Sequence, residues 1–140
     1  MKLNFKTFGE GEPIIILHGL FGSLDNWQTL GKKLAENYLV YLVDLRNHGK
    51  SPHSDSFSYL EMANDIAELI DDENLTDVNL IGHSMGGKTA MTFSTEFPHL
   101  LKSLTVVDIA PKKYPPHHDE ILDALFSLNL DEITSRREAD

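Results

Sequence analysis

Short apolar runs with almost no polar interruption recur along the chain, at residues 14–17, 38–43, 78–81 and 104–107. Runs of this kind suit strands of a parallel sheet that are covered on both faces. Residues 3–8 behave differently. They alternate apolar and polar positions, which predicts an outer strand closed by the turn Gly9-Glu10-Gly11-Glu12-Pro13. Between the runs the period changes to that of a helix. Trp27, Leu30 and Leu34 mark one helical face, and Tyr59, Met62, Ala63, Ile66, Leu69 and Ile70 mark a second, entered through a Ser58-x-x-Glu61 capping box. Ala90, Met91, Phe93 and Phe97 mark a third. Strands alternating with helices of this length predict βαβ units in a doubly wound, mostly parallel α/β sheet with right-handed crossovers. After Val107 the pattern breaks at Pro111, Pro115 and Pro116, and two short amphipathic helices are predicted at 119–128 and 131–137.

Composition narrows this picture. A chain of 140 residues, 41% of them hydrophobic, supports one globular core and not two. Twelve Lys and Arg against 22 Asp and Glu leave a net charge of -10, which repels phosphate backbones and anionic membranes and predicts neither nucleic acid nor membrane as partner. There is no cysteine, so disulfide and thiolate chemistry are excluded. The first residues, Met1-Lys2-Leu3-Asn4-Phe5-Lys6, lack the apolar region of a signal peptide, and the apolar runs fall far short of a membrane span. These features predict a cytoplasmic location. No spacing of histidines suggests a metal, and no metal or organic cofactor is expected.

The chemistry is carried by Val78-Asn79-Leu80-Ile81-Gly82-His83-Ser84-Met85-Gly86-Gly87, an apolar run that enters a G-x-S-x-G turn and then a helical pattern. In a nucleophile elbow the serine sits on a sharp strand-to-helix turn, so that its hydroxyl projects above the sheet edge. Ser84 is therefore the candidate nucleophile. Gly82, Gly86 and Gly87 lack the β-carbons that would collide where strand and helix come this close. An acyl-transfer serine also needs donors for the oxyanion that forms on the carbonyl it attacks. One is expected from the Met85 amide. The other is expected from the loop His18-Gly19-Leu20-Phe21-Gly22, with Leu20 the best-placed donor. Phe21, Trp27 and the Met85 side chain are candidates for the acyl pocket, and each is equally a candidate for plain core.

Together with these loops, Asp44-Leu45-Arg46-Asn47-His48-Gly49-Lys50-Ser51 and Val106-Val107-Asp108-Ile109-Ala110-Pro111 give the chain its resemblance to the first half of an α/β-hydrolase, and in particular to YbfF-like esterases. The resemblance implies cleavage of short-chain esters or acyl-CoA thioesters beneath a helical cap, with residues 1–111 forming the first part of the core, about five strands of about eight, and 112–140 opening the cap. It also implies that Asp108, after the sixth strand of the family, is the acid that orients the catalytic imidazole. The alternative for Asp108 is a turn or helix-cap role. Asp44 is expected to be structural, pairing with Arg46 or with loop amides around Asn47 to Gly49.

Triads of this fold run Ser, Asp, His, with the histidine after the last strand. None of the seven histidines occupies that position. His18 and His83 flank the oxyanion donor and the nucleophile, His48, His53 and His99 fall in loops, and His117 and His118 stand at the cap entrance. The expectation is an N-terminal portion of a serine esterase or thioesterase, nearly inactive alone, whose remaining strands and histidine come from a missing C-terminal half. Alone, the chain is expected to be partly unfolded, to self-associate through residues 101–108, or to be completed by a second polypeptide that carries that half. The substrate is a small-molecule ester or thioester. Other readings are a C–C bond hydrolase, a perhydrolase, or a non-catalytic ligand-binding module of the same fold.

Overall fold

The computed structural model describes residues 1–114 and, beyond them, Asp123, Phe126 and Ser127. Five strands form one sheet: β1 (Phe5–Phe8), β2 (Glu12–Leu17), β3 (Tyr38–Val43), β4 (Val78–His83) and β5 (Leu101–Val107), in the order β1-β3-β2-β4-β5. Only β1 runs antiparallel to its neighbour; β3, β2, β4 and β5 are mutually parallel. Three α-helices connect the parallel strands: α1 (Gln28–Leu34), α2 (Tyr59–Asp72) and α3 (Met85–Glu96). The two helices foreseen at 119–128 and 131–137 lie outside the described residues, apart from Asp123, Phe126 and Ser127, which are helical.

Alternate residues of the strands serve opposite faces of the sheet. Ile15, Leu17, Tyr41 and Val43 join Met62, Ile66, Ile70, Ala90 and Phe93 in the core beneath α2 and α3. Ile14, Ile16, Val40 and Leu42 join Leu24, Trp27 and Leu34 beneath α1. Coverage on both sides is why these runs are apolar throughout. At roughly 25 cal/mol per Å², each fully buried Ile or Leu stabilises the fold by about 2 kcal/mol, so the sheet centre is also its energetic centre.

Three sequence expectations change. Leu30 and Tyr59 are 43% and 44% exposed, so neither lies on the buried face assigned to it. In α1 the position turned inward is Gly31, which packs against Leu42. The capping box of α2 is half formed: the Ser58 hydroxyl accepts from Glu61 N–H, while the Glu61 carboxylate is drawn to Arg46. β5 begins at Leu101, three residues earlier than its apolar run, and its first residues are held by polar partners: Lys102 pairs with Glu12, and the Ser103 hydroxyl donates to Asn79 Oδ1.

Candidate active site

The sheet order sets the site. The chain moves from β2 outward to β3 and then returns across β2 to β4, so the loops after β2 and β4 diverge at the carboxyl edge of adjacent strands. Ligands of open α/β sheets bind at such a reversal. Backbone strain gathers at the same edge. Phe21, Asn47, Ser84 and Asp108 all have positive φ, and they follow β2, β3, β4 and β5 in turn. Asn and Asp tolerate this conformation, but for Phe21 and Ser84 it costs on the order of 1–3 kcal/mol and is held by the surroundings.

Ser84 adopts φ 50° and ψ -112° at the junction of β4 and α3. Its backbone is fastened on three sides. The Ser84 N–H donates to Val107 O at 3.0 Å, Lys88 N–H donates to Ser84 O at 3.1 Å, and Gly86 N–H donates to His18 O at 3.1 Å. Although Ser84 is the N-cap of α3, its side chain makes no capping hydrogen bond, so the hydroxyl is not consumed by the helix. Close packing of the elbow depends on its glycines: a β-carbon on Gly82 would stand 2.3 Å from Gly86 O, and one on Gly86 would stand 2.6 Å from the carbonyl oxygens of Leu17 and His18. Among the described residues, neither the Met85 nor the Leu20 N–H donates to a backbone carbonyl. Gly19 between the two loops lies so close that a β-carbon there would be 3.3 Å from Ser84 Cβ.

Beside the serine a cavity of about 460 Å³ is lined by His18, Gly19, Leu20, Phe21, Gly22, Asn26, Trp27 and His83. Phe21 and Leu20 are exposed at its mouth, 56% and 36% respectively, and the Trp27 and His83 rings meet at a tilt of 60° with centroids 6.1 Å apart. Phe21 and Trp27 thus line this cavity. The Met85 side chain does not; it is buried in the core beneath α2 and α3.

His18 is buried and acts as a brace. Its Nε2 accepts from Leu45 N–H at 3.1 Å and its Nδ1–H donates to Gly19 O at 2.8 Å, which fixes the neutral tautomer. Burial, the largest influence on it, pushes its pKa below the usual histidine value.

Asp44 is 2% exposed and accepts from Leu24 N–H and Asn4 Nδ2, both at 2.7 Å, and from Lys50 N–H at 2.9 Å. It ties the β2 loop to the β3 loop. It does not pair with Arg46 as one expectation had it. Arg46 turns to α2 instead, meeting Asp65 at 2.6 and 2.8 Å and Glu61 at 3.0 Å. Nothing in local spacing joins positions 46 and 65; their pairing follows from the packing of α2 over β3.

Asp108 follows Val107, the register partner of His83, so Asp108 and Ser84 leave adjacent strands side by side. Its carboxylate is 85% exposed and stands 3.8 Å from His83 Nε2. Of the other histidines, His48 donates Nδ1–H to Arg46 O at 2.9 Å, and His117 and His118 lie outside the described residues.

A mostly parallel sheet in which an interior strand ends in a strained serine between two free backbone amides defines the α/β-hydrolase class. The alpha/beta hydrolase fold family matches residues 12–138, and the chain belongs to it. It is 36% identical to esterase YbfF of Escherichia coli across 99% of this chain and 57% of that protein. It is 40% identical to the sn-1-specific diacylglycerol lipase of Xenopus laevis across 93% of this chain and 44% of that one. Among solved structures, a marine microorganism esterase matches with a TM-score of 0.95 at 50% identity, over 99% of this chain and 56% of that one. The chain spans about half the length of the curated relatives it matches. Among the described residues no helix is long and apolar enough to cross a membrane.

Proposed function

We propose that this chain carries the nucleophile and oxyanion half of a serine hydrolase that cleaves carboxylic esters or acyl-CoA-type thioesters through an acyl-enzyme on Ser84. Ser84 Oγ attacks the carbonyl carbon while an imidazole takes its proton, and the carbonyl oxygen becomes an oxyanion held by the Met85 and Leu20 N–H groups. Collapse expels the alcohol or thiol, which receives that proton. Water then attacks the acyl-enzyme by the same route and releases the acid. Asp108 orients the imidazole and stabilises its charged form. His18 does not serve as this imidazole, because both of its ring nitrogens are committed inside the core. The names of the relatives, an esterase of Escherichia coli and a diacylglycerol lipase of Xenopus laevis, support ester chemistry.

The observation that carries the proposal is the strained φ of 50° at Ser84, with its hydroxyl unused by the helix it caps. In the intact protein, Ser84→Ala removes both ester hydrolysis and labelling by a fluorophosphonate while the far-UV circular dichroism spectrum stays that of the wild type. A wild-type rate in Ser84→Ala contradicts the assignment. One rival has an observation behind it: His83 beside Asp108 forms a ready His–Asp pair one residue from the serine. His83→Gln separates the two, since loss of turnover comparable to Ser84→Ala makes His83 the base.

A further inference from the structure

The two sides of Ser84 differ in chemistry. On the β2 side lies the cavity with Leu20, Phe21 and Trp27. On the β5 side, the segment after Val107 folds back over the first turn of α3, where Gly87 meets Ile109 so closely that a β-carbon would stand 2.5 Å from Ile109 Cγ2. Lys112 N–H donates to Ala110 O at 2.8 Å, and Ala110 N–H donates to Tyr114 Oη at 3.0 Å, which holds the Tyr114 ring against the turn. Lys88 donates from Nζ to Lys112 O at 2.5 Å. The ammonium groups of Lys88 and Lys112 stand 5.3 and 5.1 Å from the centroid of that one ring.

Two like charges are thus gathered beside one aromatic ring, in a chain of net charge -10. Among the described residues neither ammonium pairs with a carboxylate, whereas Lys6 and Lys102 are paired with Asp25 and Glu12. Lys88 lies one turn beyond Ser84, about 6 Å along the helix axis, and helical side chains lean toward the N-terminus. Both cations therefore sit on the leaving-group side of a substrate whose acyl part fills the β2-side cavity. The nearby acid, Asp108, has His83 as its own neighbour at 3.8 Å.

We propose that Lys88, Lys112 and Tyr114 form a recognition site for an anionic group, a carboxylate or phosphate, carried by the leaving alcohol or thiol close to the scissile bond. This rests on Ser84 being the nucleophile. A neutral leaving group offers the two cations no partner; an anion complements both and is steered toward the serine by them. Because Lys88 reaches only about one helical turn from Ser84, the charge it selects is one near the reacting bond.

The test uses the intact protein and the butyrate esters of ethylene glycol monophosphate, of glycolate and of ethylene glycol monomethyl ether. The two charged esters are expected to exceed the neutral one in kcat/KM by roughly fivefold to tenfold, the scale of two exposed charge contacts, and added salt erodes the advantage. In Lys88→Ala/Lys112→Ala the ratio falls to about one. Butyryl-CoA compared with butyryl-pantetheine distinguishes the source: equal values place the selected charge near the bond, and a large preference for the CoA thioester, lost in the double variant, assigns the lysines to its distant phosphates and overturns the near-bond placement. Inorganic phosphate titrated into Ser84→Ala, followed by the NMR signals of Tyr114, is expected to saturate, and not to do so once the two lysines are replaced. That readout survives even where Ser84 is not the nucleophile. Equal kcat/KM for charged and neutral esters, or a ratio untouched by the double substitution, overturns the proposal.

Discussion

Replacing Asp44 by Ala tests the link between the fold and the loop after β2. The carboxylate is buried and receives three donors: the Leu24 and Lys50 N–H groups and the Asn4 side-chain amide. Asn4 is part-buried and can turn to water, but the two backbone N–H groups stay where the chain places them. Each buried donor left unpaired costs about 1–3 kcal/mol, and water reaching Lys50 offsets some of it, so a loss of about 2–4 kcal/mol is expected. For a protein of the relatives' length, about twice this chain, that lowers Tm by roughly 4–8 °C. Urea denaturation and a thermal melt of the intact protein measure it. Asp44→Asn keeps one accepting oxygen while turning an amide NH₂ toward other donors, and is expected to fall between wild type and Asp44→Ala. Because Leu24 anchors the loop that carries Leu20 and Phe21, ester turnover is expected to fall with stability. An Asp44→Ala protein within about 0.5 kcal/mol of wild type, the scale of an ordinary surface change, refutes the anchoring role.

Three further outcomes follow from the same geometry. Gly86→Ala, which by helix propensity alone would stabilise α3, is expected to destabilise by about 3 kcal/mol because its β-carbon meets two carbonyl oxygens at 2.6 Å; a raised Tm contradicts this. His18 has a pKa depressed by burial, so the unfolded chain binds the proton first as pH falls: its contribution to stability is full above about pH 6.5 and is lost as pH drops through the lower folded value. Urea melts from pH 7.5 downward should show that loss, with a shallower slope in His18→Asn; an unchanged slope excludes His18 as its source. Asp108→Asn in the intact protein is expected to lower turnover by about 10⁴, and a loss below about tenfold makes Asp108 structural.

Much of this arrangement is legible in the chain itself. The run at 38–43 is apolar throughout because β3 is sandwiched between two layers, and the glycines around Ser84 are spaced as the crowded elbow demands. What periodicity cannot show is which apolar residue near a helix end faces solvent: Leu30 and Tyr59 carry the helical period and yet stand exposed. Nor does it reveal partners brought together only by tertiary packing. Arg46 and Asp65 sit on different elements, and Asp44 is recognised as a hub only when Leu24, Asn4 and Lys50 converge on it. β5 starts earlier than its apolar run because Lys102 and Ser103 find partners in Glu12 and Asn79, which no local spacing reveals.

The central claim is that Ser84 attacks while the Met85 and Leu20 amides hold the oxyanion. A crystal structure of the intact protein after reaction with a fluorophosphonate tests it most directly. The account predicts a covalent bond from Ser84 Oγ to phosphorus, with one phosphonyl oxygen about 2.7–3.1 Å from both amide nitrogens and the alkyl chain against Phe21 and Trp27. A label on any other residue, or a phosphonyl oxygen turned away from both amides, contradicts it.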